Sequence, residues 1–265
     1  MKKKWQDMLV FPLRGRTRKP RSVGVTMLLD KGLGLAETRD LVGIAGDYID
    51  IIKLGFGTSA LYDDDILREK VDLVRQYQID IYPGGTFFEI AVLQDKVSYY
   101  LRLAREIGFT AIEVSDGTIN LAPRLRQAAI EQAANLGFTV LAEVGKKWVN
   151  GESPDYRELA EQALRDLAAG ARWVIVEGRE FGRNVTLFDS EGSLKEHALK
   201  EMQKHLGDPD RIIWEAPLKK QQEALVEWFG PNVNLGNIPP REVLALEALR
   251  VGLRSDTLRL LCDGK

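Results

Sequence analysis

The chain has 265 residues, enough for one large α/β domain or two small ones. Its 37 basic and 39 acidic residues leave a formal charge of −2, so no global field draws nucleic acid or a membrane surface to it. No apolar run approaches the roughly 20 residues of a bilayer span, the charged N-terminus lacks the apolar core of a signal peptide, and one cysteine, Cys262, excludes an internal disulfide or a thiolate metal cluster, so the cytoplasm is the expected compartment.

The chain opens on a basic lead, KKKW…RGRTRKPR, which runs from Lys2 to Arg21 without periodicity. It reads as a solvated arm or as a lid over the floor of the fold. Short β-branched runs then alternate with helix-period segments. The strand runs, in order, are SVGVTMLLD, DYIDIIKLG, IDIYPGG, TAIEVSDG, FTVLAEVG, ARWVIVEG, RIIWEAP and NVNLGNI. Helical stretches between them include DDDILREKVDLVRQYQ, KVSYYLRLAREIG, LAPRLRQAAIEQAANLG and DYRELAEQALRDLAAG. Gly108, Gly137 and Gly170 stand where a helix stops ahead of the next strand, the place of a C′ glycine.

Eight such units in this length give the arithmetic of a single (β/α)₈ barrel, the TIM barrel of the α/β class. An open doubly wound sheet has the same local signature and is the alternative. The absence of a linker between halves favours the barrel. The predicted division is a basic arm over 1–21, the barrel over 22–257 and a short C-terminal tail over 258–265. His197 and His205 lie in SLKEHALKEMQKHLG, an amphipathic helix away from any strand end. Proton transfers in an enzyme built from this chain therefore fall to lysine or carboxylates.

In a closed parallel barrel all strand ends point to one face, where such folds do their chemistry. Asp30 and Lys31 follow the first strand, and Lys53 ends the second ahead of LGFGTS. Glu113, Ser115 and Asp116 end the fourth, Glu143 with Lys146 and Lys147 the fifth, Glu177 and Arg179 the sixth, and Glu215 the seventh; Asn234 and Asn237 flank the end of the eighth. Four strands run apolar residues directly into a glutamate: AIE, LAE, VIVE and IIWE. A carboxylate so deep needs a cationic partner or a metal. With no histidine or cysteine cluster, the metal that suits this set is Mg²⁺ rather than zinc. Lysines among acids pair with them for stability, or serve as proton donors of tuned pKa; both readings stay open on the residues alone. LGFGTS and YPGGTFFE read as tight turns, and the former lacks the ending of a P-loop. The customary phosphate site of a barrel falls here at Gly236, Asn237 and the helix that follows.

The segments DYIDIIKLGFGTSALY, YPGGTFFE, IEVSDG, LAEVGKK, VIVEGRE, WEAPLKKQQ and NVNLGNI…EVLALEALRVGLRSDT, in this order, resemble the phosphosulfolactate synthase family. The resemblance runs from about Arg21 to Thr257. Phe181, where a small residue is expected, and Lys220, where serine is commoner, depart from it.

The resemblance implies a TIM barrel in a homo-oligomer, with a trimer as the implied count. It implies Mg²⁺-dependent addition of sulfite to phosphoenolpyruvate, giving (2R)-phospho-3-sulfolactate, a product that feeds coenzyme M in methanogens and leads towards sulfolactate in some bacteria. On that reaction, Mg²⁺ falls to carboxylates drawn from Glu113, Glu143, Glu177 and Glu215, with Asp30 nearby. The proton falls to Lys147, with Lys146 in reserve, and phosphate or sulfite to Lys53 and Arg179, joined by Gly236, Asn237 and Lys31. Two alternatives remain: a non-catalytic, stress-associated barrel of the same family, and an enzyme that adds another small nucleophile to an enol phosphate.

Overall fold

The structure is a computed structural model, and it describes residues 4–145, 155–207 and 209–262. Among these, the strands are β1 (Thr26–Asp30), β2 (Ile51–Leu54), β3 (Asp80–Tyr82), β4 (Ala111–Val114), β5 (Thr139–Val144), β6 (Trp173–Val176), β7 (Ile212–Glu215) and β8 (Leu235–Ile238). The helices are α1 (Lys4–Met8), α2 (Leu35–Ala45), α3 (Asp64–Arg75), α4 (Gly85–Leu93), α5 (Val97–Ile107) and α6 (Pro123–Asn135) in the first half. They continue as α7 (Tyr156–Ala168), α8 (Glu196–Leu206), α9 (Lys219–Phe229), α10 (Val243–Arg250) and α11 (Ser255–Cys262).

The strands lie parallel in the order β3-β2-β1-β8-β7-β6-β5-β4. Pairing of β1 with both β2 and β8 curls the sheet on itself and rules out the doubly wound alternative, whose sheet stays open. One seam remains, between β3 and β4. There the ladder is replaced by Thr110, whose N–H reaches Ile81 O at 3.2 Å and whose hydroxyl accepts from Ile81 N at 3.0 Å. The chain is a single (β/α)₈ barrel.

Two apolar layers explain the alternation in the strand sequences. One face of each strand packs on the helices, through residues such as Leu28, Ile52, Ile112, Val140, Val174 and Ile212. The other face fills the barrel, with Met27, Ile51, Tyr82, Ala111, Leu141, Trp173, Ile175 and Ile213 in contact. Each fully buried aliphatic side chain contributes roughly 1.5–3 kcal/mol.

Local signals set the helix ends. Pro123 sits in the first turn of α6, and the Asp155 side chain accepts from the N–H groups of Arg157 and Glu158 to cap α7. Gly108, Gly137 and Gly170 all take positive φ, as their C′ positions predict.

The basic lead differs from its aperiodic reading, since Lys4–Met8 forms α1; five residues are too few turns to show a period. The lead then lies across the N-terminal end of the barrel. Arg16 pairs with Glu247 at 3.0 Å, and Thr17 N donates to Asn232 Oδ1 at 3.0 Å. Arg21 bonds Asp50 at 3.0 Å and Asp47 O at 2.9 Å. LGFGTS opens a 3₁₀ segment, Gly55–Leu61, in which Phe56 and Gly57 are left-handed, and Gly85 of YPGGTFFE begins α4.

Candidate active site

The apolar layer inside the barrel stops one step below the C-terminal ends of the strands. Two residues beyond Ile51, Ala111, Leu141, Ile175 and Ile213, the inward positions are Lys53, Glu113, Glu143, Glu177 and Glu215. Alternation carries each of these side chains to the axis. All four glutamates are buried.

Lys53 stands among them, its side chain 12 % exposed. Its Nζ lies 3.0 Å from Glu113 Oε2, 3.3 Å from Glu143 Oε2 and 3.4 Å from Glu215 Oε1. Burial opposes its charge, but Glu113, Glu215 and Glu143 outweigh burial and hold its pKa well above the ordinary lysine value. Burial, helped by the charges of Glu143 and Glu113, pushes Glu215 up to about 7 against the attraction of Lys53 and the Gly178 N–H. Among the described residues, Lys53 is the ammonium set within this ring of four carboxylates.

The glutamates are held individually. Tyr82 Oη donates to Glu113 Oε2 at 2.6 Å. The Ser115 hydroxyl lies 3.0 Å from Glu143 Oε1 and 2.7 Å from Glu89 Oε1. Gly178 N donates to Glu215 Oε2 at 2.9 Å, and Arg179 N to Glu177 Oε1 at 2.8 Å. Glu143, Glu177 and Glu215 each offer one oxygen, and the three lie within 4.8 Å of one another. Three buried carboxylates are the donor set of a hard divalent cation.

The sequence-predicted residues divide clearly. Glu143, Glu177 and Glu215 converge, and Glu113 joins them through Lys53. Asp30 does not, because it has the outward parity of β1. It meets Lys70 of α3 at 2.6 Å and accepts from the N–H groups of Gly32 and Leu33, both at 2.8 Å. Lys31 is on the rim, 3.7 Å from Glu180. Lys146 and Lys147 lie outside the described residues.

Arg179 and Asn237 share the mouth. Asn237 Nδ2 donates to Arg179 O at 3.2 Å, and both residues have positive φ, 57° and 55°. Such strain in non-glycine residues costs on the order of 1–3 kcal/mol and gathers at functional sites. Arg179 Nε and Asn237 Oδ1 are buried with no hydrogen-bond partner among the described residues. The Arg179 guanidinium lies 5.6 Å from the Phe181 ring, and Lys220 contacts the Glu191 carbonyl and Ser193. Gly236 lines the barrel: a Cβ there would stand 2.7 Å from Met27 Cε and 3.4 Å from Glu215 Cγ.

Sequence reasoning missed Tyr82 and Glu89. Tyr82 pairs in register with Lys53, so alternation along β3 could have found it; Glu89 sits inside α4, where no strand pattern applies. A cavity of about 840 Å³ lies at the opposite end of the barrel, under Arg14, Arg16, Arg21 and Glu247. It lacks the carboxylate ring, which stands at the strand tips, the face where barrels of this kind do their chemistry.

Comparison with known proteins gives a consistent picture. The model of the family described as (2R)-phospho-3-sulfolactate synthase (ComA) matches residues 14–256. The chain is 48% identical over 255 residues to a phosphosulfolactate synthase of Methanothermobacter thermautotrophicus, covering 95% of this chain and 96% of that one. It is 43% identical over 238 residues to a phosphosulfolactate synthase of Methanocaldococcus jannaschii, covering 88% and 93%. Among solved structures, a 3-hexulose-6-phosphate synthase superposes with a TM-score of 0.55 at 15% identity, over 85% of this chain and 99% of the other. That likeness concerns the fold alone.

Proposed function

The chain belongs to the (2R)-phospho-3-sulfolactate synthase family of enzymes, and on that premise we propose that it adds sulfite to phosphoenolpyruvate with the help of Mg²⁺. The observation that carries the proposal is the gathering of Glu143, Glu177 and Glu215 around the axis beside Lys53.

The sulfur lone pair of sulfite forms a bond to the methylene carbon, C3. The alkene electrons move to C2 and into the adjacent carboxylate, and C2 then takes a proton. Mg²⁺, when bound, offsets negative charge on that carboxylate. Glu143, Glu177 and Glu215 would hold it. Lys53 fixes Glu113, Glu143 and Glu215 in position before substrate arrives, which is preorganisation in the electrostatic sense. Arg179 holds the phosphate or sulfite at the mouth through Nε, a donor that has no partner among the described residues, and Asn237 adds an N–H of its side-chain amide. Gly236, having no side chain, leaves room beside Met27 and Glu215, and Lys31 adds charge at the rim. Lys147 donates the proton to C2, with Lys146 as the substitute.

Purified protein incubated with phosphoenolpyruvate, sulfite and Mg²⁺ should form a phosphosulfonate detectable by phosphorus NMR, and excess chelator should stop it. Lys147→Ala should lower turnover about 10²- to 10⁴-fold. No product under these conditions would favour the non-catalytic barrel, and product only with another anion in place of sulfite would favour a different nucleophile.

The proposal includes a homo-oligomer, a trimer by family likeness. Supporting it, Phe56, Leu61, Ile90, Leu93, Tyr99 and Leu103 leave apolar surface exposed on the neighbouring 3₁₀ segment, α4 and α5. Light scattering after size exclusion tests it. A cytoplasmic place is likewise proposed, from the single cysteine; no helix among the described residues is long and apolar enough to cross a membrane.

A further inference from the structure

Arg126 projects from the first turns of α6 and is 2 % exposed. Its fork is spent in three directions. Nε and Nη2 bond Asp166 of α7, the shortest contact being 2.7 Å. Nη1 bonds Asp116 Oδ1 at 2.8 Å in the loop after β4. Nη2 also donates to the main-chain carbonyl of Glu143 at 2.8 Å.

Neutralising Asp166 needs only the first of these. The other two reach the strand tips. Asp116 is the neighbour of Ser115, whose hydroxyl lies 3.0 Å from Glu143 Oε1. Arg126 thus supports Glu143 twice, directly at its backbone and indirectly at its carboxylate. The planar guanidinium fixes both contacts at one angle, which a lysine ammonium does not.

We propose that Arg126 is a positioning residue for the carboxylate site: it sets the place of Glu143 from behind, through the Glu143 carbonyl and through Asp116. This rests on the proposed divalent-cation site. Residues standing behind metal ligands in this way typically govern affinity for the ion by about 10- to 100-fold.

The test uses Mn²⁺ as the probe, with binding followed by electron paramagnetic resonance and thermal unfolding followed in parallel. Arg126→Lys should weaken Mn²⁺ binding about 10- to 100-fold, and Asp116→Ala should weaken it less, with both proteins folded at the assay temperature. Gln162→Ala is the control. Its amide bonds Asp166 Oδ1 at 2.7 Å without touching Asp116 or Glu143, so Mn²⁺ affinity should stay at the wild-type value. If Arg126→Lys does not fold, Asp116→Ala decides. Wild-type affinity in the folded variants, or an equal loss in Gln162→Ala, overturns the positioning role. Absence of Mn²⁺ binding in the wild type overturns the metal site itself and this role with it.

Discussion

Lys70 Nζ lies 2.6 Å from Asp30 Oδ2, and the two side chains are 0 % and 2 % exposed. Lys70 also donates to Leu33 O and to Tyr62 Oη at 3.1 Å, so it ties α3 to the loop after β1. Breaking a buried pair by removing one partner costs about 3–5 kcal/mol. Lys70→Met should therefore destabilise the fold by that amount in urea unfolding. Asp30→Asn should lose stability too, yet keep the divalent-cation requirement proposed for the wild type. A changed requirement would return Asp30 to the ring of ligands.

Lys53 contacts the carboxylates of Glu113, Glu143 and Glu215 together. Lys53→Met should lower the stability of the metal-free protein by about 3–5 kcal/mol and turnover by about 10²- to 10³-fold. Added Mg²⁺ should restore part of the stability, because a ligand that binds the folded state shifts unfolding by mass action. Thermal unfolding with and without Mg²⁺ measures both effects. A variant as stable as the wild type in chelator would mean that the lysine is not what holds the glutamates together.

Gly85 permits a close approach. A Cβ on it would stand 2.0 Å from Glu113 Oε1 and 2.7 Å from Ser115 Cβ. Gly85→Ala should displace Glu113, costing about 1–3 kcal/mol and, through misplacement of the ring by about 1 Å, on the order of 10²-fold in rate. Steady-state kinetics beside a denaturation curve checks the pair of effects, and unchanged kinetics would separate Glu113 from the chemistry.

Burial lowers the Lys19 ammonium to about 8, although Asp50, Asp47 and Asp80 pull it upward. Its Nζ donates to Tyr77 O at 3.1 Å and Gln78 O at 3.3 Å. Between about pH 8 and the ordinary lysine value of 10.5 the unfolded chain binds the extra proton and the folded chain does not. Stability contributed by this group therefore rises with pH across that window. Unfolding of the wild type relative to Lys19→Met, followed from pH 7 to pH 10, should show the wild type gaining. A constant difference would mean that Lys19 stays charged throughout.

The barrel was legible because its strand runs and helix periods recur with matching glycine stops. The ring was partly legible. The glutamates of LAE, VIVE and IIWE meet because each stands two residues beyond an inward-facing apolar residue, and that phase holds at Glu177, one residue beyond β6. Asp30 misled because a charged residue at a strand end looks alike on either face; counting back to Met27 shows its outward parity. Arg126 was hidden for a different reason. It lies on a helix flank, and its contacts with Asp116, Glu143 and Asp166 join four separate parts of the chain. The position of Lys53 between acids follows from closure of the barrel, which no local pattern contains.

Where β3 meets β4 the main-chain ladder is thin, and the 2.6 Å bond from Tyr82 to Glu113 crosses that junction. A side chain of the carboxylate ring thus replaces rungs the backbone does not supply. Transient unzipping of the barrel at this place would pull Glu113 away from Lys53, so the lifetime of the assembled centre is tied to the breathing of one junction. Amide exchange at Ile81 and Thr110 should be the fastest among the strand-bordering groups of the barrel, and an ion that steadies the glutamates should slow it.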